Sequence, residues 1–482
     1  MKDELVSTSD ALLTLAFMGD LSMGQPVDHS KRVAWLACGI ALELGLEPKI
    51  CRGVEQIALL RWVGCTANAT EVADIMSDDV QGRHAMLRLQ PAAIKLLIAP
   101  NILPRRVDEI RAIHCEVAAL IATTLGLSPA VVTSLDCLFE TWDGKGRPVG
   151  LQGDAIPLPV LLVLLAGDLE IFYREYGLRA ALEMIRQRAD VIYPQYLTDI
   201  AGRMAESLLR ELDQAGESTA RSEADGHLVS LSLVADAIDL KLPWLTGHSR
   251  AVARLAGTIA ARLEMPQAVQ ARIRRAALLH GLGRVAIPNA VWNKPGPLSI
   301  ADWERVRLNP YWTARAVTQI RALEKEAEIA SSVYERLDGS GYFRATRHAA
   351  TPMEHRILPV ATTLLALQAA RPWRPPLDND AAIDHMQRQA ALSRLDQRVV
   401  GVLDGAQTVP TSSTPAPATS ILSARELDVL RCIAHGDSNK EAARKLGLSP
   451  STIRTHVEHT FRKLECNSRA AATLKASLLG LF

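Results

Sequence analysis

A few histidines on apolar helical segments are the residues here best suited to chemistry. His29 stands in "DHSKRVAWLACGIALELGL", His248 in "GHSRAVARLAGTIAARLEM" and His280 in "ALLHGLGRVAIPNAVWNKPGPL", with His114 between them in the chain. A neutral imidazole carried into a core ligates a borderline divalent cation when carboxylates converge on the same point, and such a cluster activates water for attack on a phosphodiester. The residue after His280 is Gly281, which supplies no carboxylate beside it.

These histidines sit in repeated surroundings. The segments holding His29 and His248 resemble each other at an offset of 219, as do "IALLRWVG" ending at Gly64 and "AALLHGLG" ending at Gly283. "FETWDGKGRP" (139–148) then answers "YERLDGSGYF" (334–343) at an offset of 195. The expectation is two tandem helical domains, 1–222 and 223–405, with a boundary in the polar stretch "DQAGESTARSEADGH". The run "AQTVPTSSTPAPATS" is uncharged and rich in Pro, Ser and Thr, so 406–420 is expected to be a flexible linker before a small domain at 421–482.

Composition fits this division. A chain of 482 residues exceeds one ordinary core. Aromatics are only 4 % of it, so Leu, Ala, Val and Ile must fill the cores, and helical periodicity predicts an all-α protein. The net charge of +1 excludes a strong overall field for nucleic acid or anionic lipid, yet residues 420–482 carry ten Lys/Arg against six Asp/Glu. Seven scattered cysteines without a C-x-x-C read as small core residues in a reducing compartment. "LPVLLVLLAG" is half a membrane span and "MKDELVSTSD" has no signal pattern, so no membrane partner and a cytoplasmic location are expected.

The second repeat resembles the HD-GYP branch of the HD phosphohydrolases, through "GHSRAV", "HGLGRVAIP", "NKPGPL", "LNPYWTARAV", "VYERLDGSGYF" and "ATTLLALQAARPWR". The resemblance implies an all-α bundle with a metal cluster. At the matching positions His248 and His280 are kept. Gly281, Asn309, Val333, Tyr334 and Thr362 replace the other ligands. The first repeat keeps His29 and His114, has Arg61 and Trp62 at the His-Asp positions and Leu138–Phe139 at the paired histidines, and places Asp168 one residue from the last carboxylate. Without a ligand shell these histidines read as buried residues of the fold. The expectations are therefore no catalytic residue, no metal, no cofactor, and a chain that is not an enzyme. Two alternatives stay open: a cyclic dinucleotide or other small-molecule effector held without hydrolysis, or a metal-dependent phosphodiesterase with a DNA-binding tail. Asp338-Gly339-Ser340-Gly341 is also a good turn by itself.

In the tail, Ser423 and Glu426 form a capping box, Gly436 ends the first helix, Ser438 or Asn439 caps a second, and Ser449 with Pro450 starts a third. Ile453, Val457 and Leu464 share one face of that helix, and Arg454, Thr455 and Glu458 another. This is a helix-turn-helix. The segment resembles the LuxR-type family through Leu422, Arg425, Glu426, Val429, Leu430, Ala434, Gly436, Ser438 to Glu441, Ala443, Leu446, Ser449, Thr452, Ile453 and His456. The resemblance implies a third helix in the major groove of double-stranded DNA. Arg454, Thr455 and Glu458 would then face base edges, with Lys440, Ser451, Thr452 and Lys463 on phosphates. It also implies a homodimer paired through a fourth helix around 470–479. Glu465 stands where the family has glycine. The fold expected overall is two HD-like bundles followed by a four-helix LuxR-type domain, in a transcription regulator.

Overall fold

The computed structural model describes residues 4–90, 104–215, 227–346, 351–403 and 421–482. The expected linker at 406–420 and most of the expected boundary stretch lie outside them. The described chain is helical, as its composition predicts. Its only sheet is a two-stranded ribbon of β1 (Leu5–Ser7) and β2 (Leu228–Ser230). None of the described helices is long and apolar enough to cross a membrane.

The chain divides into two compact units, Ser7–His227 and a second made of Met1–Val6 with Leu228–Phe482. In the first, α1 (Thr8–Ser22), α2 (His29–Glu43), α3 (Pro48–Leu60), α4 (Pro104–Thr124), α5 (Pro129–Asp136) and α6 (Leu158–Tyr176) position the site residues. α2 packs on α3 and α6, and α4 packs on α5. α6 is the "LPVLLVLLAG" helix. Val160 to Leu162, Leu165, Leu169 and Phe172 are all buried along it, because a helix apolar all round must lie inside a core.

The second unit uses α7 (Leu231–Asp239), α8 (His248–Arg262), α9 (Gln267–Leu279), α10 (Asn309–Val317) and α11 (Met353–Gln368). α8 packs on α9 and α11, and α7 packs on α9. The bounds of α8 and α9 repeat those of α2 and α3 at the offset of 219. Gly283, in the 3-10 turn Leu282–Ala286 after α9, lets α10 approach closely: a Cβ there would lie 2.0 Å from the Asn309 carbonyl oxygen. Gly64 has the same duty in the first unit, 2.3 Å from the His114 carbonyl oxygen.

The last four helices, α12 (Ala424–Ala434), α13 (Asn439–Leu446), α14 (Pro450–Leu464) and α15 (Arg469–Leu478), belong to the second unit. Ser423 and Ser438 each close a complete capping box, with Glu426 and Glu441, and Ser449 caps α14 with Pro450 in its first turn. α15 packs on α12, on α14 and on α7, and the Thr246 hydroxyl donates to the Ala434 carbonyl at 2.8 Å.

Candidate functional site

In the second unit the buried run Ala276–Leu279 carries α9 through the core and delivers His280, fully buried, at its end. His248 opens α8, and the two rings meet edge to face with centroids 5.8 Å apart. His280 Nδ1 lies 2.6 Å from the Ala277 carbonyl oxygen, which can only accept, so the proton is on Nδ1 and Nε2 is left as acceptor. Arg284 Nη2 donates to it at 2.9 Å. Burial first, and Arg284 second, push His280 down to about 3, so the ring is neutral. Burial likewise holds His248 well below the usual imidazole range.

Arg284 occupies the space that an aspartate at 281 would need. A Cβ on Gly281 would lie 2.5 Å from Arg284 Nη1 and 3.0 Å from Cζ. The same nitrogen, Nη1, approaches Asp239, whose Oδ1 is 3.7 Å away. Asp239 accepts from the Ser249 amide at 2.9 Å and the Ser249 hydroxyl at 2.8 Å. Its carboxyl is pushed up to about 7 by burial, against the pull of Arg284 and Ser249. Asn309 Nδ2 donates to the Tyr334 hydroxyl at 3.4 Å, and Tyr334 stacks on Tyr342 with centroids 5.0 Å apart. Arg371 lies 4.6 Å over the Trp244 ring. Val333 is buried, and the buried Thr362 hydroxyl has no hydrogen-bond partner among the described residues.

The first unit builds the same kind of centre from different positions. Arg61, in the place of the expected His-Asp histidine, bonds His29 Nε2. His29 Nδ1 meets Glu170 Oε2 at 2.6 Å. Burial and Arg61 drive His29 down to about 4 against the pull of Glu170. Burial opposes ionisation of Glu170, but His29, Arg174 and Arg32 outweigh it and hold the carboxyl at about 2. Asp20 accepts from the Ser30 amide and hydroxyl at 3.0 and 2.6 Å, as Asp239 does from Ser249. His114 Nε2 contacts the Arg61 carbonyl at 2.8 Å, so it braces the turn that follows α3. Asp168 pairs with Arg188 at 3.0 Å and Tyr193 at 3.2 Å.

The loops after "DG" match as well. Glu140 accepts from the amides of Val149, Gly150 and Leu151 at 2.7 to 3.0 Å. Glu335 accepts from those of Arg344 and Thr346 at 2.8 and 3.0 Å. The expected turn at Asp338 is present, with its carboxylate accepting from the Ser340 amide at 2.9 Å.

These residues do not fit a divalent cluster. Among the described residues no group of three or more His, Cys, Asp or Glu can hold a metal ion. A guanidinium is fixed against a histidine in each centre, and a cation repels a second cation at that distance. The chemistry available is that of buried, hydrogen-bonded arginines beside neutral imidazoles, a donor set for oxyanions.

On α14 the outward face is Ser451, Arg454, Thr455, Glu458, His459 and Arg462, all exposed. Arg454 Nε is paired with Glu458 at 2.9 Å, one turn on. Ser451 and Thr452 bond the capping Ser449 hydroxyl at 2.7 and 2.8 Å. Lys440 is exposed and has no ion-pair partner among the described residues. Lys463 is not directed outward alone: its ammonium sits 2.7 Å from Glu426, which also closes the first capping box. Arg462 escaped the sequence reading, although it follows Arg454 and Glu458 at the same four-residue interval.

Residues 232–399 match the HD domain family and residues 420–476 the bacterial regulatory proteins of the luxR family. The chain is 28 % identical over 414 residues to the 3'3'-cGAMP-specific phosphodiesterase 3 of Vibrio cholerae, covering 79 % of this chain and 90 % of that one. It is 47 % identical over 55 residues to the nitrate/nitrite response regulator protein NarP of Escherichia coli, covering 11 % and 26 %. A crystal structure of a cyclic GMP-AMP specific phosphodiesterase of V. cholerae shares the fold, with a TM-score of 0.60, 24 % identity, and coverage of 84 % of this chain and 99 % of that one. An HD domain and a C-terminal LuxR-type helix-turn-helix domain are thus present. The expectation that the chain is not an enzyme is overturned, because a relative aligned along most of its length is named a phosphodiesterase and the match points to an HD-type hydrolase. That expectation counted ligands only at the positions of one motif. The centre as built also recruits Asp239, which lies outside the motif, and Arg284, a motif position that the count of ligands passed over.

Proposed function

We propose that this chain is a transcription regulator that reads double-stranded DNA through α14 and whose HD part takes a cyclic dinucleotide. The observation that carries the first half is the exposed polar face of α14 on a helix-turn-helix matched to the luxR family. Arg454, Thr455 and Glu458 then lie toward base edges, and Lys440, Ser451 and Thr452 toward phosphates. Lys463 joins the phosphate contacts only by leaving Glu426. The Arg454–Glu458 pair is exposed, so DNA competes with it at little cost. A homodimer paired through α15 would present two such helices to an inverted repeat.

The second half is supported by the cyclic dinucleotide named for the relative and by the arginine-centred donor set around His280. A phosphodiester is an anion, and a guanidinium meets it with paired donors. A second reading, hydrolysis of that ligand, is favoured by alignment to a named phosphodiesterase along 90 % of its length. We also read the first unit as a second HD-like bundle. Its support is geometric: Asp20–Ser30 repeats Asp239–Ser249 at the offset of 219, and Glu140 repeats Glu335 at 195.

One experiment tests both halves. The full chain selects fragments from a random duplex library with and without 3'3'-cGAMP, and the nucleotide is then analysed for linear products. Enrichment of one inverted repeat, altered by the nucleotide, is expected. Linear product supports the second reading. No enriched sequence under either condition would remove the regulator proposal.

A further inference from the structure

The first unit brings together three side chains with soft donor atoms. The 3-10 turn Val63–Cys65 packs on α1 and on α4. It sets the Cys65 sulfur 3.3 Å from the sulfur of Met23, at the end of α1, and 3.6 Å from Nδ1 of His114, within α4. All three residues are buried. A count of His, Cys, Asp and Glu does not register this set, because one of its members is a thioether. Cys65 is the counterpart of Arg284 at the offset of 219, so the position that carries a guanidinium in the second unit carries a thiol in the first.

The imidazole is held as a ligand is held. Nε2 lies 2.8 Å from the Arg61 carbonyl oxygen, which can only accept, so the proton is on Nε2 and Nδ1 presents its lone pair to the thiol. Burial, outweighing that hydrogen bond, pushes His114 down to about 4, so the ring is neutral. Gly64 admits the ring: a Cβ there would lie 2.8 Å from His114 Cγ. The buried Arg83 ties the backbone beside Met23 to that of Cys65, donating to the carbonyls of Ser22 at 3.3 Å and Cys65 at 3.0 Å. Groups outside the donor set thus fix where the donors stand.

We propose that Cys65, His114 and Met23 bind one copper(I) ion. Thiolate and thioether are the ligands that select this ion, and imidazole suits copper as well. A sulfur and a nitrogen held at about 2.3 and 2.0 Å from one metal, at angles of about 110–120°, stand about 3.6 Å apart, which is the Cys65–His114 separation. The two sulfurs must open by about 0.5 Å, a movement that the unbranched, three-torsion methionine side chain allows. Charge decides the oxidation state. Copper(I) displaces the thiol proton: the sulfur–hydrogen bond gives way to a sulfur–copper bond, H⁺ leaves to solvent, and the core gains no charge. A divalent ion on the same ligands would leave one positive charge uncompensated in a core that already holds the Arg83 guanidinium. The site uses neither the arginine-centred clusters nor the DNA-reading helix, so it stands or falls separately from the function proposed above.

Titration of the full chain with copper(I) under nitrogen, in competition with the chelator bathocuproine disulfonate, tests it. One ion retained per chain is expected. Cys65→Ser should abolish retention, and Cys432→Ser, in the tail, should leave it unchanged. Met23→Leu should weaken it by at least about tenfold, since outer-shell partners alone are worth about 10–100-fold in metal affinity. Leucine is close to methionine in volume and equally apolar, so this variant should keep the circular dichroism of the parent. X-ray absorption of the one-to-one complex should show two sulfur neighbours and one nitrogen. No ion retained by the parent chain, retention unaltered in Cys65→Ser, or zinc(II) held in preference to copper(I), overturns the proposal.

Discussion

Arg284 Nη2 lies 2.9 Å from His280 Nε2, four residues apart across one turn, so a cation fixed in sequence sits where the bundle would otherwise admit one from solution. The pair makes the ring both buried and neutral. His280 is held at about 3 in the folded chain against about 6.5 when unfolded. A folded pKa that is depressed gives stability that is full above about 6.5 and drains as pH falls toward 3. His280→Gln should remove that drain and flatten the acid limb by up to about 1.4 kcal/mol per pH unit. Urea midpoints of both proteins between pH 7 and pH 4.5 check this, and parallel limbs would refute it.

Gly283→Ala should destabilise the second unit by roughly 1–3 kcal/mol, the usual cost of overpacking against atoms that cannot turn aside. The colliding atoms are the Asn309 carbonyl oxygen at 2.0 Å and its side-chain oxygen at 2.6 Å. Gly401→Ala, with nothing within 4 Å, is the matched control. Denaturant unfolding should separate the two variants clearly. Equal midpoints would mean that α10 does not approach the turn as described.

Arg454→Ala should cost roughly 1–3 kcal/mol of DNA affinity and blur one base position per half-site. Lys440→Ala should weaken all sequences alike and lower the salt slope by about one. The contrast arises because phosphate charge repeats at every step of the duplex, whereas a base edge does not. Selection on both variants, with titrations at several salt concentrations, reads it out. An unchanged preferred sequence for Arg454→Ala would mean that α14 is not the reading helix.

Glu465 ends α14 in the left-handed region, at φ +51° and ψ +49°. Glycine takes that conformation freely and a side chain does not, so Glu465→Gly should stabilise the tail by about 0.5–1 kcal/mol. The loss of the 3.4 Å contact from Lys475 is a small offset, because the Glu465 carboxylate is largely in water. Thermal unfolding of the two proteins decides it, with a lower midpoint for the variant counting against this account.

What was readable in the sequence was what local chemistry determines. The caps at Ser423, Ser438 and Ser449 and the outward set Arg454, Thr455 and Glu458 follow from spacing within one helix. The offset of 219 between the two repeated segments recurs between the bounds of α2 and α8 and between those of α3 and α9. What was not readable depends on chain far away or on how a long side chain folds back. Asp239 reaches Ser249 over a turn, Lys463 crosses to Glu426 in another helix, and Arg284 fills the gap left by Gly281. A small residue followed three positions later by arginine was the available signal for the last of these. Counting missing ligands led to an expectation of no enzyme, because a count of absences does not register the groups that take their place.

α15 has little surface to spare. Ala471, Ala472, Thr473, Leu474, Ala476 and Ser477 are all buried, and the helix is covered by α12, α14 and α7 together. In the proposed homodimer the same helix would be the seam between subunits. One face cannot be covered twice, so pairing of subunits and attachment to α7 are thermodynamically antagonistic. By reciprocity, in such a dimer, docking of α7 on α15 would weaken the joining of two chains by the same factor by which joining would weaken that docking.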